Sequence, residues 1–112
     1  MNIIKTSLLM SSIIFANAYA CDNFNFTLHN LTGTNCKLTY KASSLVESNP
    51  LPQILEKNQT ATTNLTNNFP GQVSIFFATY SCENNKNYQI SIKGINIPQK
   101  WCAFGTDFNL EK

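Results

Sequence analysis

Gln72-Val73-Ser74-Ile75-Phe76-Phe77-Ala78-Thr79-Tyr80-Ser81-Cys82 is the segment with the firmest pattern. It follows Pro70-Gly71, a dipeptide that opens a new element. At a period of two, Val73, Ile75 and Phe77 share one face, and Phe76, Ala78, Tyr80 and Cys82 share the other. Apolar residues on both faces predict a central strand covered on each side. Asn84-Asn85-Lys86-Asn87 then reads as a turn, and Tyr88–Lys93 alternates and pairs back onto the strand. Gly94 breaks the alternation, Ile95 and Ile97 resume it before Pro98, and Trp101–Phe104 reads as a last strand around Cys102.

Towards the N-terminus, Phe24–His29 alternates apolar and polar, Leu31–Asn35 is turn-like, and Cys36–Lys41 alternates again with Lys and Thr outward. The two runs read as a hairpin. Ala42–Pro52 is irregular, with two prolines that exclude a central strand. Gln53–Glu56 reads as a short strand, and the Thr- and Asn-rich Lys57–Asn68, with Leu65 as its main apolar residue, reads as an edge strand. No window carries a helical stripe, and no segment repeats. Six or seven short strands with polar turns predict an all-β fold, a small antiparallel β-sandwich.

Residues 1–20 have the form of a secretory signal peptide. Lys5 supplies the charged start, Leu8–Ala16 the apolar centre, and Ala18-Tyr19-Ala20 the small residues at −3 and −1. Cleavage before Cys21 leaves 92 residues, 35 of them apolar, enough for one thin core in a single domain, 21–112. The apolar centre is about half the ~20 residues that a membrane span requires. Cys21 at the first mature position also admits a lipid anchor. Ala18 and Tyr19 stand where a lipoprotein signal has Leu and a small residue, so cleavage without acylation is the stronger reading.

Cys21, Cys36, Cys82 and Cys102 are even in number, and with an export signal they read as two disulfides. Acylating Cys21 would leave an odd count. No Cys-x-x-Cys occurs, so zinc ribbons and thioredoxin-type motifs are absent. Of three possible pairings, the nested one (Cys21–Cys102 with Cys36–Cys82) is slightly preferred over Cys21–Cys36 with Cys82–Cys102.

All eight basic residues are Lys. Without Arg there is no bidentate reader of phosphates or bases, and the scattered lysines form no polybasic patch, so neither nucleic-acid nor electrostatic membrane binding is expected. Four Asn-x-Thr sequons, at Asn25, Asn30, Asn58 and Asn64, would mark solvent-facing positions in a glycosylating host.

The chemistry-bearing residues point away from catalysis. His29 is the single histidine, on the polar face of the first strand, with Asp22 the nearest carboxylate in sequence. Asp22, Glu47, Glu56, Glu83, Asp107 and Glu111 are dispersed, with no pair spaced to share a strand face. The four glycines form no phosphate loop, and no acidic cluster suggests calcium. No cofactor or metal ligand set is therefore expected, and the chain reads as a non-enzyme. Phe76, Phe77, Tyr80 and Tyr88 suit the core. Trp101, Phe104 and Phe108 lie close together after Pro98, as caps of the core under Cys102 or as a contact patch for a protein, glycan or lipid surface.

The order Leu28-His29-Asn30-Leu31-Thr32, Cys36-Lys37-Leu38, Pro52-Gln53-Ile54 and Gly71 to Tyr80 resembles that of the aegerolysin-like small secreted β-sandwiches, over about residues 26–92. The resemblance implies the fold class and, because some members bind membrane lipids, a membrane-lipid-binding or membrane-active alternative. It assigns no site residues. The leading expectation is an exported, disulfide-stapled, non-catalytic binding module. A secreted enzyme inhibitor is the further alternative, and inactivity against a protease panel would weaken it.

Mass spectrometry of the exported protein checks this reading directly. The expected mass is that of 21–112 less four hydrogens, and an added diacylglyceryl mass would overturn the soluble form.

Overall fold

Every second residue of Asn23–Leu31 (β1) is buried: Phe24, Phe26, Leu28 and Asn30. The computed structural model describes residues 21–112 apart from Pro70 and Asn96, so the signal-peptide reading of 1–20 lies outside the described residues. The further elements are Cys36–Ser43 (β2), Val46–Glu47 (β3), Ile54–Leu55 (β4), Thr60–Thr66 (β5), Ser74–Cys82 (β6), Asn87–Gly94 (β7), Gln99–Phe104 (α1) and Thr106–Glu111 (β8). They form two four-stranded sheets, ordered β3-β5-β1-β8 and β4-β2-β6-β7. The inner faces meet as a sandwich, with the rings of Phe26 on β1 and Phe76 on β6 5.8 Å apart and tilted.

The fold is the expected small all-β domain, and its two disulfides are the nested pair, Cys21–Cys102 and Cys36–Cys82. Cys36 and Cys82 face each other directly across β2 and β6. The bridges close separations of 81 and 46 residues, and loops of that size contribute about 4 kcal/mol each in the chain-entropy account. Such bridges persist in an oxidising, extracellular-type environment.

The hairpin expected from Phe24–His29 and Cys36–Lys41 does not form. β1 lies between β5 and β8, whereas β2 pairs with β4 and β6 in the other sheet. Leu31–Asn35 is thus a crossover between sheets. Its composition suits a hairpin turn equally well, but both β1 and β2 have buried alternate residues, and opposing sheets bury both sets against each other. Asn30 organises the crossover from full burial. Its Oδ1 accepts from the backbone N–H and hydroxyl of Thr32, at 3.0 and 2.7 Å. Its Nδ2 donates to the carbonyls of Thr34, Leu55 and Glu56, at 2.8, 3.0 and 3.0 Å. Gly33, at φ 80°, makes the bend.

β6 is internal to its sheet as expected, but only one face is fully buried. Ser74, Phe76, Ala78, Tyr80 and Cys82 point inward, while Ile75, Phe77 and Thr79 are half-buried on the outer side. β7 returns against β6 over Asn87–Gly94, as the alternation indicated. A bulge at Thr39 changes the phase of β2, so Tyr40 turns outward instead of joining Leu38 in the core. The Tyr80 hydroxyl donates to the Pro52 carbonyl at 2.7 Å; burial, with Glu47 nearby, raises its pKa far above the ordinary 10.0. Glu47 in turn pairs with Lys41 at 2.8 Å and accepts from the Leu51 N–H, tying the irregular Ala42–Pro52 segment to the sandwich.

The C-terminal segment departs most from expectation. Trp101–Phe104 is not a strand but part of α1, and the last strand, β8, runs parallel to β1. The sheets are otherwise antiparallel. α1 supplies the connection that allows the chain to return parallel after β7 of the opposite sheet.

Asn30→Ala would leave the Thr34, Leu55 and Glu56 carbonyls without this donor and remove the Thr32 anchor. The expected loss is at least about 2 kcal/mol in urea unfolding, whereas the same change at exposed Asn109 would stay within about 0.5 kcal/mol.

Candidate functional site

Six residues with no buried side chain and no side-chain N-cap do not hold a helix unaided. α1 is held from outside. Cys102 is bonded to Cys21 at the start of the described chain, and Trp101 lies 5.2 Å from Phe24, ring centre to ring centre, at a 48° tilt. Gly105 then closes the helix, its N–H donating to the Trp101 carbonyl at 2.6 Å. Its φ of 75° and ψ of −173° belong to glycine, and a Cβ there would stand 2.8 Å from the Asn25 carbonyl oxygen. The chain therefore passes β1 closely and turns Phe104 into solvent.

The three aromatics read as caps of the core or as a contact patch divide between the two. Trp101 and Phe108 pack against the core, while Phe104 is 88% exposed. Phe104 has other companions. The end of the sandwich where β1 begins is also where β5 and β7 finish and β6 begins. Phe69, Val73, Val46 and Ile95 occupy the chain at this end, all exposed. Phe69 and Val73 border one open cleft with Ser44, Asn67 and Gln72, and Phe104 borders another with Lys100 and Asp107. Sequence reading passed over Phe69, because an isolated apolar residue beside a turn carries no periodicity, and took Ile95 as part of a resumed alternation, whereas it lies beyond the end of β7 and is exposed.

Between these features a cavity of about 90 Å³ enters the sandwich. Phe24, Leu45, Ile92, Ile97, Pro98 and Trp101 give it apolar walls, and Ser74, Lys93 and Gly94 complete its border. Among the described residues Ser74 is one of four buried polar ones, and its Oγ, itself closed to solvent, has no hydrogen-bond partner. The signal was present in the sequence: Ser74 falls in the same phase as Phe76, Ala78 and Tyr80.

His29 is not an isolated strand residue. Its Nδ1 lies 3.2 Å from the Thr60 hydroxyl and its Nε2 3.3 Å from the Asp107 carboxylate. In the neutral ring, Nε2–H donates to Asp107 and Nδ1 accepts from Thr60. The parallel β1–β8 pairing brings Asp107 there from 78 residues away, which the sequence offered no means of seeing. The connectivity is that of a hydroxyl–imidazole–carboxylate chain, on the outer face of a sheet, with Asp107 65% exposed.

The carboxylates take separate positions. Glu83 accepts from the Asn35 N–H and Asp107 faces His29; contrary to expectation, β8 places Asp107 and Glu111 on one outer face. Among the described residues, no three His, Cys, Asp or Glu side chains gather as metal ligands do. Of the four sequons, Asn30 is wholly buried and so is not the solvent-facing position expected of it; Asn25 and Asn58 are exposed, and Asn64 is half-buried. Among the described residues no helix is long and apolar enough to cross a membrane. Comparison with family models, with curated proteins and with solved structures gives no match to this chain.

Gly105→Ala would destabilise by more than about 2 kcal/mol, through positive φ and the clash with Asn25. Gly71→Ala, at φ 86° with open space around it, would cost about 1–2 kcal/mol from backbone strain alone. Paired thermal melts distinguish the two.

Proposed function

We propose that the chain is an exported, non-catalytic binding module that meets its partner through the end of the sandwich carrying α1. The observation behind this reading is that Val46, Phe69, Val73, Ile95 and Phe104, each about half or more exposed, all lie in segments at this end of the sandwich. A small domain has few large apolar residues outside its core, and several of them exposed at one end favour a contact surface there. The surface is held in advance of contact, because the bridge from Cys21 fixes α1 and Gly105 fixes the exit of Phe104. An oxidising environment accords with export by the leader-like residues 1–20.

Binding is favoured over catalysis by the placing of His29. Thr60, His29 and Asp107 sit on the open outer face of a sheet, with Asp107 65% exposed, and not in the enclosed, water-excluded setting in which a developing oxyanion is stabilised.

A lipid surface is the second reading, in keeping with the aegerolysin-like order of the sequence. It is favoured by Phe104 beside Lys100, an aromatic with a cation at its edge.

The double variant Phe69→Ser/Phe104→Ser tests both. Its melting temperature is expected to stay within about 3 °C of the parent, because both side chains are exposed. Retention of labelled protein on intact cells is expected to fall at least about tenfold. Equal retention of parent and variant would overturn the proposal. Flotation with phosphatidylcholine and phosphatidylserine vesicles separates the two readings: loss of flotation in the variant supports lipid, and no flotation of the parent removes it.

A further inference from the structure

Each sheet ends on one long edge strand, β8 in one and β7 in the other, and the two edges lie on the same flank of the sandwich. β3 and β4, at the opposite ends, have two residues each and are too short to template a partner. Only Ser44 and Leu45 separate β2 from β3 in the other sheet, so those two strands share a flank. β1 faces β6 through Phe26 and Phe76, which leaves their outer neighbours, β8 and β7, together on the other flank. β1 and β6 begin at the same end, where Phe24 and Ser74 border one cavity. β8 runs with β1 and β7 runs against β6, so the two edges are antiparallel to each other.

The ladders fix which backbone groups each edge presents. The Cys82 N–H donates to the Lys86 carbonyl at 2.9 Å, and the same phase runs on through Tyr80–Tyr88, Ala78–Ile90 and Phe76–Ile92. Asn87, Gln89, Ser91 and Lys93 therefore turn their N–H and C=O groups away from β6. On β1, the Asp22 carbonyl accepts from Asn67 and the Asn30 N–H donates to Gln59, so even-numbered residues serve β5 while Thr27, His29 and Leu31 serve β8. In a parallel pair these bond the residues flanking their partners, namely Thr106, Phe108 and Leu110, and Asp107, Asn109 and Glu111 turn outward. Among the described residues no backbone hydrogen bond outside the ladders reaches these outward positions. Neither edge contains a proline or a shift of register that would blunt it.

We propose that this flank is a self-association surface, on which a second copy of the chain docks as a two-fold dimer, β7 of each copy pairing antiparallel with β8 of the other. A two-fold axis along the strands makes both seams at once, because the edges share a flank and run in opposite directions. Charge selects the pairing. β8 carries Asp107 and Glu111 and β7 carries Lys93, all exposed. Lys93 opposite Asp107 sets Ser91 against Asn109 and Gln89 against Glu111, outward backbone against outward backbone throughout. Asp107 turns Oδ2 to His29 of its own chain, and Oδ1 remains for Lys93 of the other copy. The same register sets Ile92 against Phe108 on the inner faces, and both are only partly buried in the single copy. Like pairings are weaker: β8 on β8 brings carboxylates of the two copies together, and β7 on β7 gives Lys93 no acid to meet. The seam uses neither Phe69 nor Phe104, so the inference is independent of any partner at the exposed end.

Sedimentation equilibrium of the oxidised protein tests the seam. The parent is expected to be dimeric at about 100 μM, as suits an interface of modest area. Ser91→Pro removes an outward N–H and leaves the β6 ladder intact. It is expected to weaken the dimer at least about tenfold, with a melting temperature within about 5 °C of the parent measured under monomeric conditions. Lys93→Asp and Asp107→Lys are each expected to weaken the dimer about tenfold, and the two together to bring it back to within about threefold of the parent. A parent that stays monomeric to about 1 mM, or that assembles beyond a dimer, would overturn the proposal. So would a double charge exchange that associates no better than the single ones, or a folded Ser91→Pro that dimerises as the parent does. Each result is readable whether or not Phe69→Ser/Phe104→Ser affects cell retention.

Discussion

The hydrogen bonds of Asn30 are the constraint on which both sheets depend. The side chain has two N–H hydrogens for three carbonyls, so one hydrogen is shared, and its oxygen takes two donors from Thr32. Its backbone is engaged as well, with the N–H donating to Gln59 and the carbonyl accepting from Asn58. One residue thereby joins the end of β1, the crossover, the end of β4 and the approach to β5. β1 and β4 belong to different sheets, and the Leu55 carbonyl at the end of β4 is buried where Asn30 satisfies it. An apolar residue of similar size would keep the alternation of β1 and lose the crossover. The sequon of Asn30 is therefore a turn device, in which Thr32 serves the Asn side chain instead of a glycosylating enzyme.

This explains which parts of the fold could be read from the sequence. Alternation is a local property, so the strands around Phe26, Leu38, Phe76 and Ile90 were legible, and so was the return of β7 onto β6 through a four-residue turn. Partner choice is not local. The turn residues Leu31–Asn35 are compatible with a hairpin or a crossover, and only the burial of Asn30, against its polarity, distinguishes the two. The bulge at Thr39 shifts phase by one residue without a glycine or proline to announce it. The helix at Gln99–Phe104 has no stripe because it buries no side chain fully, and its position follows from a disulfide and one aromatic contact. The nested pairing of cysteines, by contrast, was within reach, since neighbouring ladder positions of two strands are where Cys36 and Cys82 would meet.

The candidate site was less legible than the fold, for the same reason. Trp101 and Phe104 are three residues apart, and a strand would have placed them on opposite faces. A short helix followed by Gly105 sends one to the core and one to solvent by a different route. The outer face of the β1 sheet shows the opposite case, where polar residues partner one another. Asn64 donates to Asn23 and Asn25, Thr27 meets Thr62, and His29 meets Thr60. Cross-strand pairs of this kind stabilise the sheet by a few tenths of a kcal/mol each and leave fewer free groups for a ligand.

The two disulfides have different physical roles. Cys36–Cys82 lies within an established ladder, with the Cα atoms 4.0 Å apart, and locks a pairing that the flanking hydrogen bonds already specify. Cys21–Cys102 spans 81 residues and secures α1, a segment with almost no burial of its own. Without that bridge, Trp101 against Phe24 would be the main contact holding the helix, and an aromatic pair is worth only about 0.5–1.5 kcal/mol beyond its buried area. The bridge thus stabilises the oxidised fold and also keeps ordered the segment that carries both the half-buried Trp101 and the exposed Phe104.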